Sequence, residues 1–142
     1  MKAYIYCADI YCEDCGLAIR QRICAERIKS GLPPFDESNE SSFDSDDYPK
    51  GPYDNGGGEA DCPQHCGNHA DCLNAEEIDG HKIGAFLAND LTADGVRYVI
   101  DAFIDDTDSQ CVQYWIERYD ELCFDISANV NGVCVSLSKA KA

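Results

Sequence analysis

The sequence predicts an α+β fold: a small, mainly antiparallel sheet, three helices, and a pair of cysteine knuckles closing a long acidic loop. Three observations lead there. Apolar residues recur at helical spacing in two segments between 92 and 123. Two alternating segments flank Asn131-Gly132, the strongest two-residue hairpin signal. Cys12-Glu13-Asp14-Cys15-Gly16 is answered by Cys62-Pro63-Gln64-His65-Cys66-Gly67-Asn68-His69-Ala70-Asp71-Cys72, and each cluster holds a Cys-Gly step.

From the N-terminus, Ala3 to Ala8 is aromatic and β-branched and reads as a strand running straight into the Cys12 knuckle. Gly16 is expected to supply the positive φ of that knuckle. A helix follows over Leu17 to Lys29, with Leu17, Cys24 and Ile28 on one face, helped by Ile19 or Ile23, ended by Ser30-Gly31 and barred by Pro33-Pro34. It carries Arg20, Arg22, Arg27 and Lys29, a basic patch on an acidic chain.

Residues 32–61 read as a long, partly disordered acidic loop. From Asp36 to Asp61 there are nine acids and one Lys, with isolated aromatics at Phe35, Phe43, Tyr48 and Tyr53. Such a composition offers little apolar surface to offset the entropy of ordering. After the second cysteine cluster, His81 to Ala88 reads as a strand weakened by Gly84. Thr92 caps a helix bearing Val96, Val99, Ile100, Phe103 and Ile104. Asp108 or Ser109 starts another, with Val112, Trp115, Ile116, Tyr119, Leu122 and Cys123 as its stripe. The chain closes in a hairpin, with Phe124, Ile126, Ala128 and Val130 on one arm and Val133, Val135 and Leu137 on the other. Residues 139–142 read as a frayed tail, and the whole chain, 1–142, as a single domain.

Ten cysteines among 142 residues imply either a disulfide scaffold or a reduced protein with a metal site. The opening residues lack the apolar run and cleavage site of a signal peptide, and no segment approaches the ~20 apolar residues of a membrane span. The expected setting is therefore cytoplasmic, with thiols free or metal-bound. With 27 acidic against 11 basic side chains the formal charge is −16, which excludes ordinary phosphate-backbone binding and favours basic protein surfaces as partners.

A tetrahedral zinc ion needs four ligands, and one Cys-x-x-Cys supplies two. Cys12 and Cys15 form the first half. Cys66 and Cys72 are preferred for the second, because Cys66-Gly67 repeats Cys15-Gly16. Cys62 and His65 compete, then His69, and so many candidates leave room for a second ion. Cys7, Cys24, Cys111, Cys123 and Cys134 read as core. A thiolate-rich site is a poor Lewis acid, and the His-x-Glu with Pro-Cys-x-x-Cys order of zinc deaminases is missing, so the ion is expected to be structural. Gly56-Gly57-Gly58 lacks the Lys-Ser/Thr of a phosphate loop, and the acidic groups do not fit the twelve-residue calcium pattern.

Tyr11-Cys12-Glu13-Asp14-Cys15-Gly16, with Gly56-Gly57-Gly58-Glu59-Ala60-Asp61-Cys62-Pro63-Gln64-His65-Cys66 and Leu91-Thr92-Ala93-Asp94-Gly95-Val96, resembles a group of short uncharacterised phage and bacterial proteins with a zinc-ribbon-like pattern. The resemblance implies a phage or mobile-element origin and a host-cell cytoplasmic setting, without an activity. The expected function is a non-enzymatic, zinc-stabilised module that binds a protein through Asp94, Asp101, Asp105, Glu117, Asp120 and Glu121. Its sharper form is a nucleic-acid mimic inhibiting a host defence or transcription complex, of anti-CRISPR or anti-restriction type. A zinc-dependent hydrolase is the third reading.

Overall fold

A computed structural model describes residues 1–106, 108–121, 124–130 and 133–139, with side chains described as far as Tyr119. The architecture is α+β, with three α-helices and three small antiparallel sheets among the described residues. The first sheet has the order β2-β1-β3, from strands β1 (Ala3–Tyr6), β2 (Asp9–Cys12) and β3 (Lys50–Tyr53).

The single strand expected over Ala3 to Ala8 is thus a hairpin. Cys7 and Ala8 both take positive φ, 50° and 58°, and turn the chain so that Ala3 pairs with Cys12. Cys7, expected in the core, is exposed at this turn. Cys-Ala carries none of the usual left-handed turn chemistry, which is why the reversal is silent in the sequence.

Helix α1 (Glu13–Lys29) starts four residues earlier than expected, with Cys12 as its N-cap. Gly16 is therefore helical and has no positive φ. Its bare Cα lets the helix lie on Tyr4, whose ring would be 2.3 Å from a Cβ at that position. The buried face is Cys15, Gly16, Ile19, Arg20 and Ile23. The expected stripe fails: Leu17 and Ile28 are exposed. Arg20 leaves the basic patch as well. It is buried, donating from Nε and Nη2 to Pro49 O at 3.0 and 2.8 Å, with its guanidinium near the rings of Tyr4 and Tyr48.

The acidic segment is more structured than its composition suggests. It contributes β3, and its aromatics pair with one another. Phe35 stacks on Tyr48 at 4.9 Å, Phe43 meets Tyr48 edge-on at 5.3 Å, and both pack with Ile19 and Ile23 of α1. Three rings hold the segment while its carboxylates stay largely in water; the average composition hides this concentration of apolar area. The Gly56-Gly57-Gly58 run has a packing role too, because a Cβ on Gly56 would sit 2.3 Å from Leu87 O.

In place of a strand over His81 to Ala88, a short hairpin forms from β4 (Glu76–Ile78) and β5 (His81–Ile83). Asp79-Gly80 turns it, both residues at positive φ. Helix α2 (Ala93–Asp105) begins as expected, Thr92 Oγ1 accepting from Gly95 N at 3.1 Å. Helix α3 (Gln110–Glu121) starts with Ser109 Oγ accepting from Val112 N. The terminal strands β6 (Phe124–Val130) and β7 (Val133–Lys139) pair antiparallel, with α2 against β7 and α3 against β6. Leu122, Cys123, Asn131-Gly132 and residues 140–142 lie outside the described residues, as do the side chains of β6 and β7; Lys139 belongs to β7, not to a tail.

Candidate metal centre

Four sulfurs converge where the first sheet, α1 and the second cysteine cluster meet. Cys12, Cys15, Cys66 and Cys72 are all buried, and their Sγ atoms lie within 4.8 Å of one another. Local structure explains each position. Cys12 ends β2 and caps α1, so Cys15, one helical turn on, shares its side of the helix. Cys66 is fixed by backbone pairing: its N–H donates to Ala85 O at 2.8 Å, and a bridge joins His65 to Phe86. Gly84 makes this approach possible, since a Cβ there would lie 2.2 Å from Cys66 O. Cys72 follows a tight turn through Asn68–Asp71 that returns the chain over Cys66.

The spacing fits a metal and not a disulfide. Cys72 Sγ stands 3.6 Å from Cys12 Sγ and 3.7 Å from Cys15 Sγ. A disulfide needs about 2.05 Å. A tetrahedron with zinc–sulfur bonds of about 2.3 Å has edges of about 3.8 Å. These residues therefore fit a four-thiolate metal site.

The surroundings favour thiolate charge. Leu73 N donates to Cys15 Sγ and Asn74 N to Cys72 Sγ, both at 3.3 Å. Asn74 Nδ2 reaches Cys12 Sγ at 3.7 Å and Asp14 Oδ2 at 2.9 Å. The N-terminal end of α1 adds its positive partial charge. Without a cation, burial pushes the Cys12 thiol up to about 11 and raises Cys66 further. Cys72 is pushed up by burial too, but N–H groups of Ala85 and Asn74 and the neighbouring thiols outweigh that and leave it lowered. A metal ion supplies the positive charge that lets all four ionise.

The competing residues stand elsewhere. Cys62 accepts from Gln64 Nε2 at 3.2 Å and is not in the cluster. His69 is exposed, with φ 51° in the turn between Cys66 and Cys72. His65 has both ring nitrogens engaged, Nδ1 with Gly84 O at 2.8 Å and Nε2 accepting from Trp115 Nε1 at 2.9 Å. That arrangement assigns the neutral tautomer with hydrogen on Nδ1, and burial holds its pKa below the ordinary value. Among the described residues no second metal-ligating group is found.

Sequence reasoning missed Asn74 and Asn89. Asn74 carries no motif; its place two residues after Cys72 is the one available signal. Asn89 is buried and fully used: Oδ1 accepts from Gln64 N at 2.8 Å and Tyr119 OH at 3.3 Å, and Nδ2 donates to Cys62 O and Asp90 O. It ties the second cysteine cluster to α3.

Of the acidic residues expected to meet a partner, Asp94, Asp101 and Asp105 are exposed on α2 and Glu117 is exposed on α3. Asp120 and Glu121 lie in the last turn of α3, their side chains outside the described residues. No helix among the described residues is long and apolar enough to cross a membrane. Comparison of the chain with known protein families, curated proteins and solved structures gave no match.

Proposed function

We propose that Cys12, Cys15, Cys66 and Cys72 hold a structural zinc ion, and that the protein is a non-enzymatic, zinc-stabilised acidic module that binds a basic protein surface. The convergence of four buried sulfurs within 4.8 Å of one another, two of the separations being 3.6 and 3.7 Å, carries the first half of this reading. Four soft, charged ligands suit zinc, with iron as the chemical competitor. They also complete the tetrahedron, leaving no position for a water or substrate, which argues for a structural ion over a hydrolase.

The second half rests on the charge of −16 and its placement. Asp94, Asp101 and Asp105 fall within about 40° of one another around α2, with Asp101 and Asp105 about 6 Å apart along the axis. Tyr98, about half exposed, stands among them and offers the aromatic anchor that protein interfaces favour. The same row of carboxylates supports the sharper reading, a nucleic-acid mimic that occupies a host protein's binding groove. The resemblance to short phage and bacterial proteins accords with that reading and with a host-cell cytoplasmic setting.

Elemental analysis of protein purified without chelators tests the metal: close to one zinc per chain is expected, and iron or no metal refutes the assignment. For the partner, affinity capture from a bacterial lysate is repeated with Asp94, Asp101, Asp105 and Glu117 all changed to Lys. A specific, salt-sensitive partner lost on reversal supports the acidic-surface reading. Capture that survives reversal, or none at all, overturns it. Competition between that partner's nucleic acid and this protein separates a mimic from a simple docking module.

A further inference from the structure

The four-cysteine centre has a closed side and an open one. Cys12 and Cys66 belong to the closed side: Cys12 ends β2, and Cys66 is pinned by its N–H bond to Ala85 O. Cys72 belongs to the open side, at the end of the tight turn through Asn68–Asp71. Its chain neighbours face water, Asp71 and Asn74 being exposed and Leu73 66% exposed. A hollow of about 240 Å³ reaches this edge, and its lining includes Cys15, Asp71 and Leu73. It thus touches one candidate ligand and both chain neighbours of another. Of the four cysteines Cys72 is the least buried, 7% exposed against at most 2% for the rest. Its Sγ stands 3.7 Å from that of Cys15.

We infer that Cys72 and Cys15 are a peroxide-sensitive pair, whose oxidation to a disulfide releases the ion and leaves the fold tied. The inference rests on the metal reading above and adds to it a way of emptying the site. Zinc has no redox chemistry of its own, so an oxidant that reaches the centre acts on sulfur. The Cys72 thiolate attacks one oxygen of hydrogen peroxide and the O–O bond breaks. Cys72 becomes a sulfenic acid, and the departing hydroxide takes up a proton to give water. The Cys15 thiolate then attacks the Cys72 sulfur; the S–S bond forms, the S–O bond breaks, and this second hydroxide is protonated in turn. Two sulfurs have given two electrons, and one peroxide has become two waters. The ion keeps only Cys12 and Cys66, half of the set it needs, and leaves.

Geometry selects this pair. The sulfurs must close from 3.7 Å to about 2.05 Å. Cys15 is held in the first turn of α1, so the movement falls on Cys72, between exposed neighbours. Cys12 Sγ is as near to Cys72, at 3.6 Å, but Cys12 does not line the hollow. The new bond joins residues 57 apart, a loop of the same order as the one the ion closes. In the chain-entropy view it restores the constraint that departure of the ion removes.

The test treats reduced, metal-loaded protein with hydrogen peroxide once its zinc content has been measured. A zinc-binding dye follows release, and mass spectrometry after cleavage before aspartate maps the bond. Cleavage at Asp14 parts Cys12 from Cys15, cleavage at Asp71 parts Cys66 from Cys72, and fragmentation tells Cys15 from Cys24. One zinc released per Cys15–Cys72 disulfide, and taken up again after a thiol reductant, is expected. Zinc retained under excess peroxide, or a different linked pair, overturns the inference and leaves the metal site standing. Protein without zinc at the start overturns the metal reading, and this inference with it. The oxidised, zinc-free protein should melt roughly 10 °C above the reduced, chelated one; equal melting overturns the claim that the fold stays tied. Cys72→His keeps four ligands but lacks the attacking sulfur, so peroxide should strip its zinc at least about tenfold more slowly; an unchanged rate overturns the role of Cys72. Cys62→Ser, outside the cluster, should release zinc at the wild-type rate, and slower release there would place the first attack elsewhere and overturn the assignment.

Discussion

Removing the ion should loosen this protein without abolishing its fold. The ion joins Cys15 to Cys66, closing a loop of about 50 residues, and releasing such a link returns about 4 kcal/mol of chain entropy to the unfolded state. The neutral thiols left behind remain tolerable in their setting, since Ala3, Ala85 and Leu87 share the same cluster and cysteine behaves there as a small hydrophobe. For a chain of this size that loss corresponds to a fall in Tm of roughly 10–20 °C. Thermal melts followed by circular dichroism, with and without a strong chelator, measure it. Cys66→Ser should reproduce most of the chelated behaviour, while Cys62→Ser and His69→Ala should retain the ion and melt near wild type. Cobalt substitution should give the visible bands of a tetrahedral thiolate complex, lost in Cys66→Ser. Loading at pH 7 should also release protons, because burial keeps the Cys12 thiol near 11 and Cys66 higher. A Tm insensitive to chelation, or equal losses from Cys62→Ser and Cys66→Ser, would refute the reasoning.

Three further outcomes follow from the same contacts. Asn89→Ala removes the side chain that Gln64 N and Cys62 O bond to, and urea melts should show a loss of about 2–4 kcal/mol at unchanged metal content; a loss below about 1 kcal/mol would mean water replaces the amide freely. Arg20→Met keeps the aliphatic stem but strands Pro49 O, and should cost about 2–4 kcal/mol. The Glu37 ion pair at 3.6 Å is half exposed on its acidic side, so Glu37→Gln should cost under about 1 kcal/mol; equal costs would show that the ion pair dominates. His65 is buried neutral, with a pKa below 6.5, so the unfolded chain takes up the proton first. Its contribution is complete above about 6.5 and declines as pH falls toward the folded-state pKa; an NMR titration midpoint above 6.5 would contradict this.

Much of this was legible in the residues, for reasons that can be separated. Thr92 and Ser109 announced two helix starts, and the spacing of Val96, Val99 and Ile100 named the inward face of α2, because capping and periodicity are local physics. The repeated Cys-Gly step already put Cys66 and Cys72 ahead of Cys62 and His65, and the fold brings those two to Cys12 and Cys15; what fixes Cys66, its pairing with Ala85, is a contact distant in sequence that no local pattern reveals. Helix α1 misled because it carries two apolar rows, and only packing against Tyr4, Phe43 and Tyr48 selects the one holding Ile19 and Ile23. Asp79-Gly80 was a readable hairpin signal beside short strands; Cys7-Ala8 was not, since its left-handed turn is imposed by the pairing of Ala3 with Cys12.

The hydrogen bond from the indole of Trp115 to His65 has a practical consequence. Trp115 is the sole tryptophan of the chain, and its partner is the immediate neighbour of Cys66. A movement of that cysteine on gain or loss of the ion would reach the only tryptophan through one imidazole. Emission from the unlabelled protein should therefore report metal occupancy in real time, and a titration in a simple fluorimeter would reveal whether the cysteine cluster and the helical half of the molecule respond together.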